Sequence, residues 1–157
     1  MRRTVGVVIF NIFILSSVFT AIDIYFGEYR YTYTLEDWPT IPVMVGQFFF
    51  FLFADDFVFY WSHYLLHTPK FYWIHKRHHE YNITVSLAPL YSHPIEYILG
   101  NGIPFGIGYR ILSEFTNVHV VTIMVWTVFR FMETCDGHCG YAWTWSQLSF
   151  IPWKLGS

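Results

Sequence analysis

Apolar residues fall into four long runs, and the polar positions between them gather in short connectors. The first run extends from Thr4 to Phe26, interrupted by Asn11 and Asp23, and is long enough to cross a bilayer as a helix. Arg2 and Arg3 precede it, and small residues near Thr20 and Ala21 would also permit a cleaved signal peptide. The run continues past that point, which favours a retained span. Gly27 to Pro42 is a polar connector with Pro39 and Pro42 marking the break between helices. A second run starts near Val43, passes through QFFFFLFADDFVFYW and ends at a histidine pair, with Pro69 stopping its helix. A third begins beyond His93-Pro94, where Pro94 suits the first helical position. Ser113 to Asn117 forms a turn, and a fourth run from His119 carries the chain back to Tyr141.

This pattern predicts an all-α integral membrane protein, a single domain over 1–157 with about four transmembrane helices in two hairpins. Composition strengthens that picture: 54% of residues are hydrophobic and 13% charged, against about 25% charged in soluble proteins. A net charge of −2 and the lack of a long basic run argue against a nucleic-acid partner. Lys70, Lys76 and Arg77, together with Arg2 and Arg3, put the histidine-rich connector and the N-terminus on the cytoplasmic side. Asn82-Ile83-Thr84 matches a glycosylation acceptor that this topology leaves bare. Cys135 and Cys139 are too few for a disulfide framework and fit a reduced face.

Some residues inside the runs need a reason to be there. Asp55 and Asp56 are costly in lipid and should face a protein interior or the site, and Asp56 is expected either to pair with an arginine or backbone group or to support a site from behind. Gly100, Gly102, Gly106 and Gly108 predict close helix packing, with a break that admits substrate as the alternative. Phe48 to Phe51 are expected to face lipid or, alternatively, to line a substrate route.

The chemistry gathers between Trp61 and Glu80, in WSHYLLHTPKFYWIHKRHHE, which holds His63, His67, His75, His78 and His79, five of the eight histidines. Rings four residues apart on a helix share a face, and His75 and His79 repeat the spacing of His63 and His67. Asp56, Tyr60, His63 and His67 would then form one stripe. Buried imidazoles need polar partners, so this density points to a metal; imidazole suits iron, zinc, copper and nickel. The two hairpins also deliver His93 and His138 to the same membrane face, while His119 lands at the opposite end as a structural residue. A lone histidine at a helix end is often a cap, so both the ligand and the capping reading stay open for His93 and His138.

HYLLH followed by HKRHHE resembles the first two histidine boxes of the fatty acid hydroxylase/sterol desaturase superfamily, most closely its C4-methylsterol monooxygenases. YSHPIEY and ETCDGHCGY resemble two further segments of that superfamily. The resemblance implies an endoplasmic-reticulum enzyme holding two iron ions. Its ligands would be His63, His67, His75, His78, His79, His93 and His138. The enzyme would use O2 and electrons from NAD(P)H, delivered through cytochrome b5, to oxidise a sterol or another lipid. It also implies a third box of the HxxHH type, and none follows before Ser157, so the chain reads as lacking a C-terminal part, either a truncated or mispredicted product or a remnant that no longer catalyses. A non-catalytic membrane protein holding one zinc through the first two boxes is the competing expectation.

Overall fold

The computed structural model describes residues 2–26, 31–81 and 85–141. Asn82-Ile83-Thr84 lies outside them. Helices dominate, as the apolar runs require. The N-terminal helix covers 2–26 and passes through a π-helical turn at Phe10–Leu15. A second helix, Ile41–Leu66, has Pro42 in its first turn and stops three residues ahead of Pro69. A continuous helix over 94–113 again contains a π-helical stretch, Ile98–Gly102, and the last helix is Val120–Gly137. Among the described residues, Arg3–Ile22 and Ile41–Leu66 are long and apolar enough to cross a membrane. The last helix is more polar at one end, where it carries Arg130, Glu133 and Asp136.

One feature has no counterpart in the hydrophobic pattern. Tyr31–Thr32 pairs in parallel with Val118–His119, a two-residue ladder that joins the first connector to the start of the last helix. Pairing of residues this far apart leaves no local signature, because short strands are recognised by alternation over several residues.

The long helix Ile41–Leu66 is the centre of the packing, and its main neighbour is the helix over 94–113. The glycines explain how closely these two approach. A Cβ added at Gly108 would lie 3.3 Å from the Ala54 methyl, and one at Gly100 would lie 3.5 Å from the Phe59 ring. Backbone therefore meets side chain with almost no space between, as expected for small residues at a helix interface. Phe51 is buried between Phe105 and Trp126, at centroid distances of 5.7 and 5.9 Å, and Phe48 packs on Trp126 and Phe129. The lipid-facing expectation for this aromatic stretch thus holds for Phe49, which is 61% exposed, and fails for Phe51, which is 1% exposed. Four consecutive side chains on a helix point in four directions, so no run of identical residues can share one environment.

Asp55 and Asp56 find an arginine. Arg130 Nε lies 2.8 Å from Asp55 Oδ2, and its Nη1 lies 3.1 Å from Asp56 Oδ1 and 2.7 Å from Glu133 Oε2. Of the two readings for Asp56, direct pairing is the one realised. Tyr60 does not continue a stripe from Asp56 to the histidines: it is 59% exposed on the outer face.

His119 is structural. Its Nδ1 accepts the Val121 N–H at 3.1 Å, capping the last helix, and its Nε2 donates to the Thr34 carbonyl at 3.1 Å. Replacing it by alanine is expected to cost about 1 kcal/mol for the cap alone and to leave metal content unchanged. Thermal unfolding beside elemental analysis of the same sample checks both halves of that expectation.

Candidate metal centre

The centre is assembled where Ile41–Leu66 ends and a tight run of turns begins. His63 sits in the last turn of that helix and His67 caps it. The chain reverses through 68–71, where Phe71 and Tyr72 N–H groups return to the Thr68 carbonyl. It then forms the short helix Tyr72–His75 and the 3-10 turn His78–Glu80. The reversal lays the second histidine group on the first. His75 becomes the hub, with no solvent exposure.

Its Nε2 lies 3.2 Å from His67 Nε2 and 2.9 Å from His79 Nε2, while His67 Nε2 lies 3.0 Å from His63 Nε2. His78 stacks on His75 at 5.3 Å between centroids and meets the His138 ring edge-on at 5.4 Å. His138 follows the last helix as its C-terminal cap, so it meets His78, 60 positions earlier in the chain, on one side of the bundle. Six of the seven expected ligands come together in this way. His93 does not share a ring contact with them among the described residues: it caps the helix over 94–113 by accepting the Ile95 N–H and lies against Trp73, 5.5 Å away.

Sequence reading missed one member of the site, Glu96. Its Oε1 accepts from His75 Nδ1 at 2.7 Å and lies 3.7 Å from His78 Nδ1. Its Oε2 is buried without a hydrogen-bond partner. A signal was available, since Glu96 is the one carboxylate between His93 and Ser113 and an acid in such a run is functional by default. What the sequence lacks is the fold that carries it across to His75.

Proton counting shows what the rings are suited to hold. With Nδ1–H of His75 committed to Glu96, its Nε2 presents a bare lone pair. His67 has at most one Nε2 proton for two ring contacts, so neutral imidazoles leave one of the three short N···N contacts with no proton between its lone pairs. A cation removes that conflict. Nitrogens bound about 2.1 Å from one ion lie roughly 3.0–3.4 Å apart at angles between square and tetrahedral, close to the spacing seen here. His138 is prepared similarly, with Nδ1 donating to the Thr134 carbonyl at 2.9 Å and Nε2 left available. Nδ1, Nε2 and carboxylate donors of this kind fit iron or zinc.

The fatty acid hydroxylase model matches residues 48–154, more than half of the chain and every histidine of the cluster. The chain belongs to the fatty acid hydroxylase family. Family relatives include methylsterol monooxygenase 2-1 of Arabidopsis thaliana, 36% identical over 76% of this chain and 42% of its own length. The C-4 methylsterol oxidase of Schizosaccharomyces pombe is 37% identical over 76% of this chain and 40% of its own. A very-long-chain aldehyde decarbonylase of rice, GL1-11, is 36% identical over 76% of this chain and 43% of its own. The chain therefore spans less than half the length of these relatives. No solved structure matches it.

Loss of water around three of the rings, His67, His78 and His79, favours their neutral forms. Desolvation, reinforced by the His138 and His75 rings, pushes His78 down to about 3, and desolvation also lowers His67 and His79. A lowered folded-state value means that the unfolded chain binds protons more readily, so stability rises with pH across the window. His78 contributes fully above its ordinary value of about 6.5, and its contribution is lost as pH falls toward 3. Unfolding midpoints of the metal-free chain measured across this range should therefore decline steadily on the acid side, and a flat profile would contradict the desolvation of His78.

Proposed function

We propose that this chain forms the metal-binding part of a di-iron oxidoreductase of the endoplasmic-reticulum membrane that uses O2 to oxidise a sterol, with a C4-methyl group as the position attacked. The observation that carries the reading is the grip of Glu96 on buried His75, which aims one imidazole lone pair at two others within a family of oxygen-dependent lipid enzymes. An unactivated methyl C–H bond offers no acidic proton and no leaving group, so bound iron supplies the redox chemistry that side chains lack.

The protein's own residues would orient and shield. Glu96 holds the His75 proton at Nδ1, the Thr134 carbonyl holds that of His138, and the ring stack of His75 and His78 keeps water from the inner side. The seven imidazoles would share the two ions, with His93 exchanging its capping bond for a metal. Four spans in two hairpins would set the rings at the cytoplasmic rim, the sterol entering sideways from the bilayer. Lys76 and Arg77 would meet an acidic donor of the cytochrome b5 type, fed from NAD(P)H.

A second reading has one observation in its favour. One ligand nitrogen from each of His63, His67 and His75 lies within 4.8 Å of the others, the geometry of a single ion, as in a non-catalytic zinc protein. Metal analysis of the full chain purified from membranes separates the two. Two irons per chain, with oxygen-dependent turnover of a 4-methylsterol when an electron donor is present, is the expected result. One tightly held zinc with no oxygen consumption would replace it with the second reading.

A further inference from the structure

The N-terminal helix lies ahead of the family match, which begins at residue 48, and the hydrophobic pattern gives it no role beyond that of an anchor or a cleaved leader. Its hydrogen bonds tell otherwise. Asn11 is fully buried in the π-helical turn and donates from Nδ2 to two carbonyls, Leu90 at 2.9 Å and Ser92 at 3.2 Å. Five residues on, Ser16 Oγ donates to the Asn11 carbonyl at 3.2 Å and shares a 3.0 Å hydrogen bond with the Tyr97 hydroxyl. Thr4 bonds the Tyr81 hydroxyl. Val8 closes a small core with Leu90 and Tyr91.

These contacts bracket one residue. Ser92 lies just before the cap of the helix over 94–113 and Tyr97 directly follows Glu96, so both flanks of the carboxylate that meets His75 are held from the N-terminal helix. On the other side of the same turn, the Tyr91 hydroxyl donates to Glu80 Oε2 at 2.9 Å, next to His79. A π-helical turn is strained relative to a regular helix and concentrates at functional positions, because it frees a carbonyl and re-aims a side chain. Here the Asn11 carbonyl accepts both the backbone N–H and the hydroxyl of Ser16, and the Asn11 side chain is turned inward. A carboxamide inside an apolar helix costs free energy; both Nδ2 donors of Asn11 are used on the one loop that delivers Glu96, while its Oδ1 is buried without a partner.

We propose that the N-terminal helix is a working part of the imidazole centre, with Asn11 a positioning residue that sets Glu96 against His75. The metal arm of the test below rests on the metal reading of the centre; the tautomer arm does not.

The full chain is prepared in detergent as wild type, Asn11→Leu and Glu96→Gln, with histidine labelled in 15N. In the metal-free wild type, His75 should be the Nδ1-protonated tautomer. Asn11→Leu should convert it to a mixture, as Glu96→Gln does, while helix content is retained. After loading with cobalt, both variants should release metal to a chelator on the order of 10-fold or more faster than wild type, with the double variant no faster than Glu96→Gln alone. If Asn11→Leu does not fold, Ser16→Ala and Tyr97→Phe loosen the same clamp and are read in the same way. A wild-type His75 tautomer in a folded clamp variant would overturn the proposal and leave the helix an anchor. Failure of the wild type to hold cobalt would overturn the metal reading instead, and the tautomer would still decide the clamp.

Discussion

His75→Ala is expected to empty the metal centre. The ring is fully buried and is the hub through which His67 and His79 are brought within 3.2 and 2.9 Å of a shared nitrogen, so no neighbour can swing into its place. The substitution also strands Glu96, whose Oε2 is already without a hydrogen-bond partner and whose Oε1 would be left with the 3.7 Å approach of His78. Truncation therefore removes a ligand and leaves a buried carboxylate unpaired, which costs more than the lost contact alone. Metal per chain should fall to background in elemental analysis of the purified variant, whereas Glu96→Gln, which keeps the ring, should weaken binding by about 10–100-fold. An alanine variant that retained the wild-type metal content would place the ion elsewhere.

The second large effect lies outside the rings. Arg130→Met is expected to prevent the chain from accumulating in folded form. Arg130 is held by Asp55 and Asp56 on one helix and Glu133 on its own, and its guanidinium lies over the Phe59 ring at 5.4 Å. Phe59 in turn stacks on His63 at 5.3 Å, so the charge cluster underlies the first histidine pair. Methionine fills the volume but leaves buried Asp55 facing the half-buried carboxylates of Asp56 and Glu133, and breaking a buried pair from one side costs about 3–5 kcal/mol, a figure that partial exposure of two partners lowers but that is still a large part of a small domain's stability. Arg130→Lys should recover little, because one ammonium group cannot reproduce a fork that reaches several carboxylates. Adding Asp55→Asn and Asp56→Asn to Arg130→Met should restore part of the yield, since it removes the stranded charges. Expression level and the unfolding midpoint in detergent report the outcome. An unchanged midpoint in Arg130→Met alone would mean that the cluster carries no stability.

Much of the site could be read from spacing. The pair His63 and His67 lies one turn apart at the end of Ile41–Leu66, a local pattern that helical geometry puts on one face, whereas His75 and His79 sit on two separate short elements, Tyr72–His75 and His78–Glu80, and meet through the turn between them. The capping place of Pro94, the turn at 113–117 and the close glycine contacts were legible for the same reason: each depends on the backbone of a few neighbouring residues. The aromatic run at 48–51 was misread because identity of residue type says nothing about direction around a helix. The stripe through Tyr60 failed for a related reason, since a shared face at the histidines does not mean that every residue spaced upstream of them is buried.

Chain order, hydrophobic length and histidine spacing thus determined that this protein is helical and apolar enough to cross a bilayer, with about four spans expected where two described helices have the length and apolarity for it, and that its imidazoles are grouped at helical spacing. Tertiary structure alone decided that Glu96 orients His75, that Arg130 neutralises Asp55 and Asp56, that His138 joins His78 while His93 stays with Trp73, and that Asn11 reaches the loop before Glu96. The division follows from range. Periodicity is a property of neighbouring residues and is written in the chain, whereas a buried polar group takes whichever partner the packing of distant helices places within about 3 Å of it.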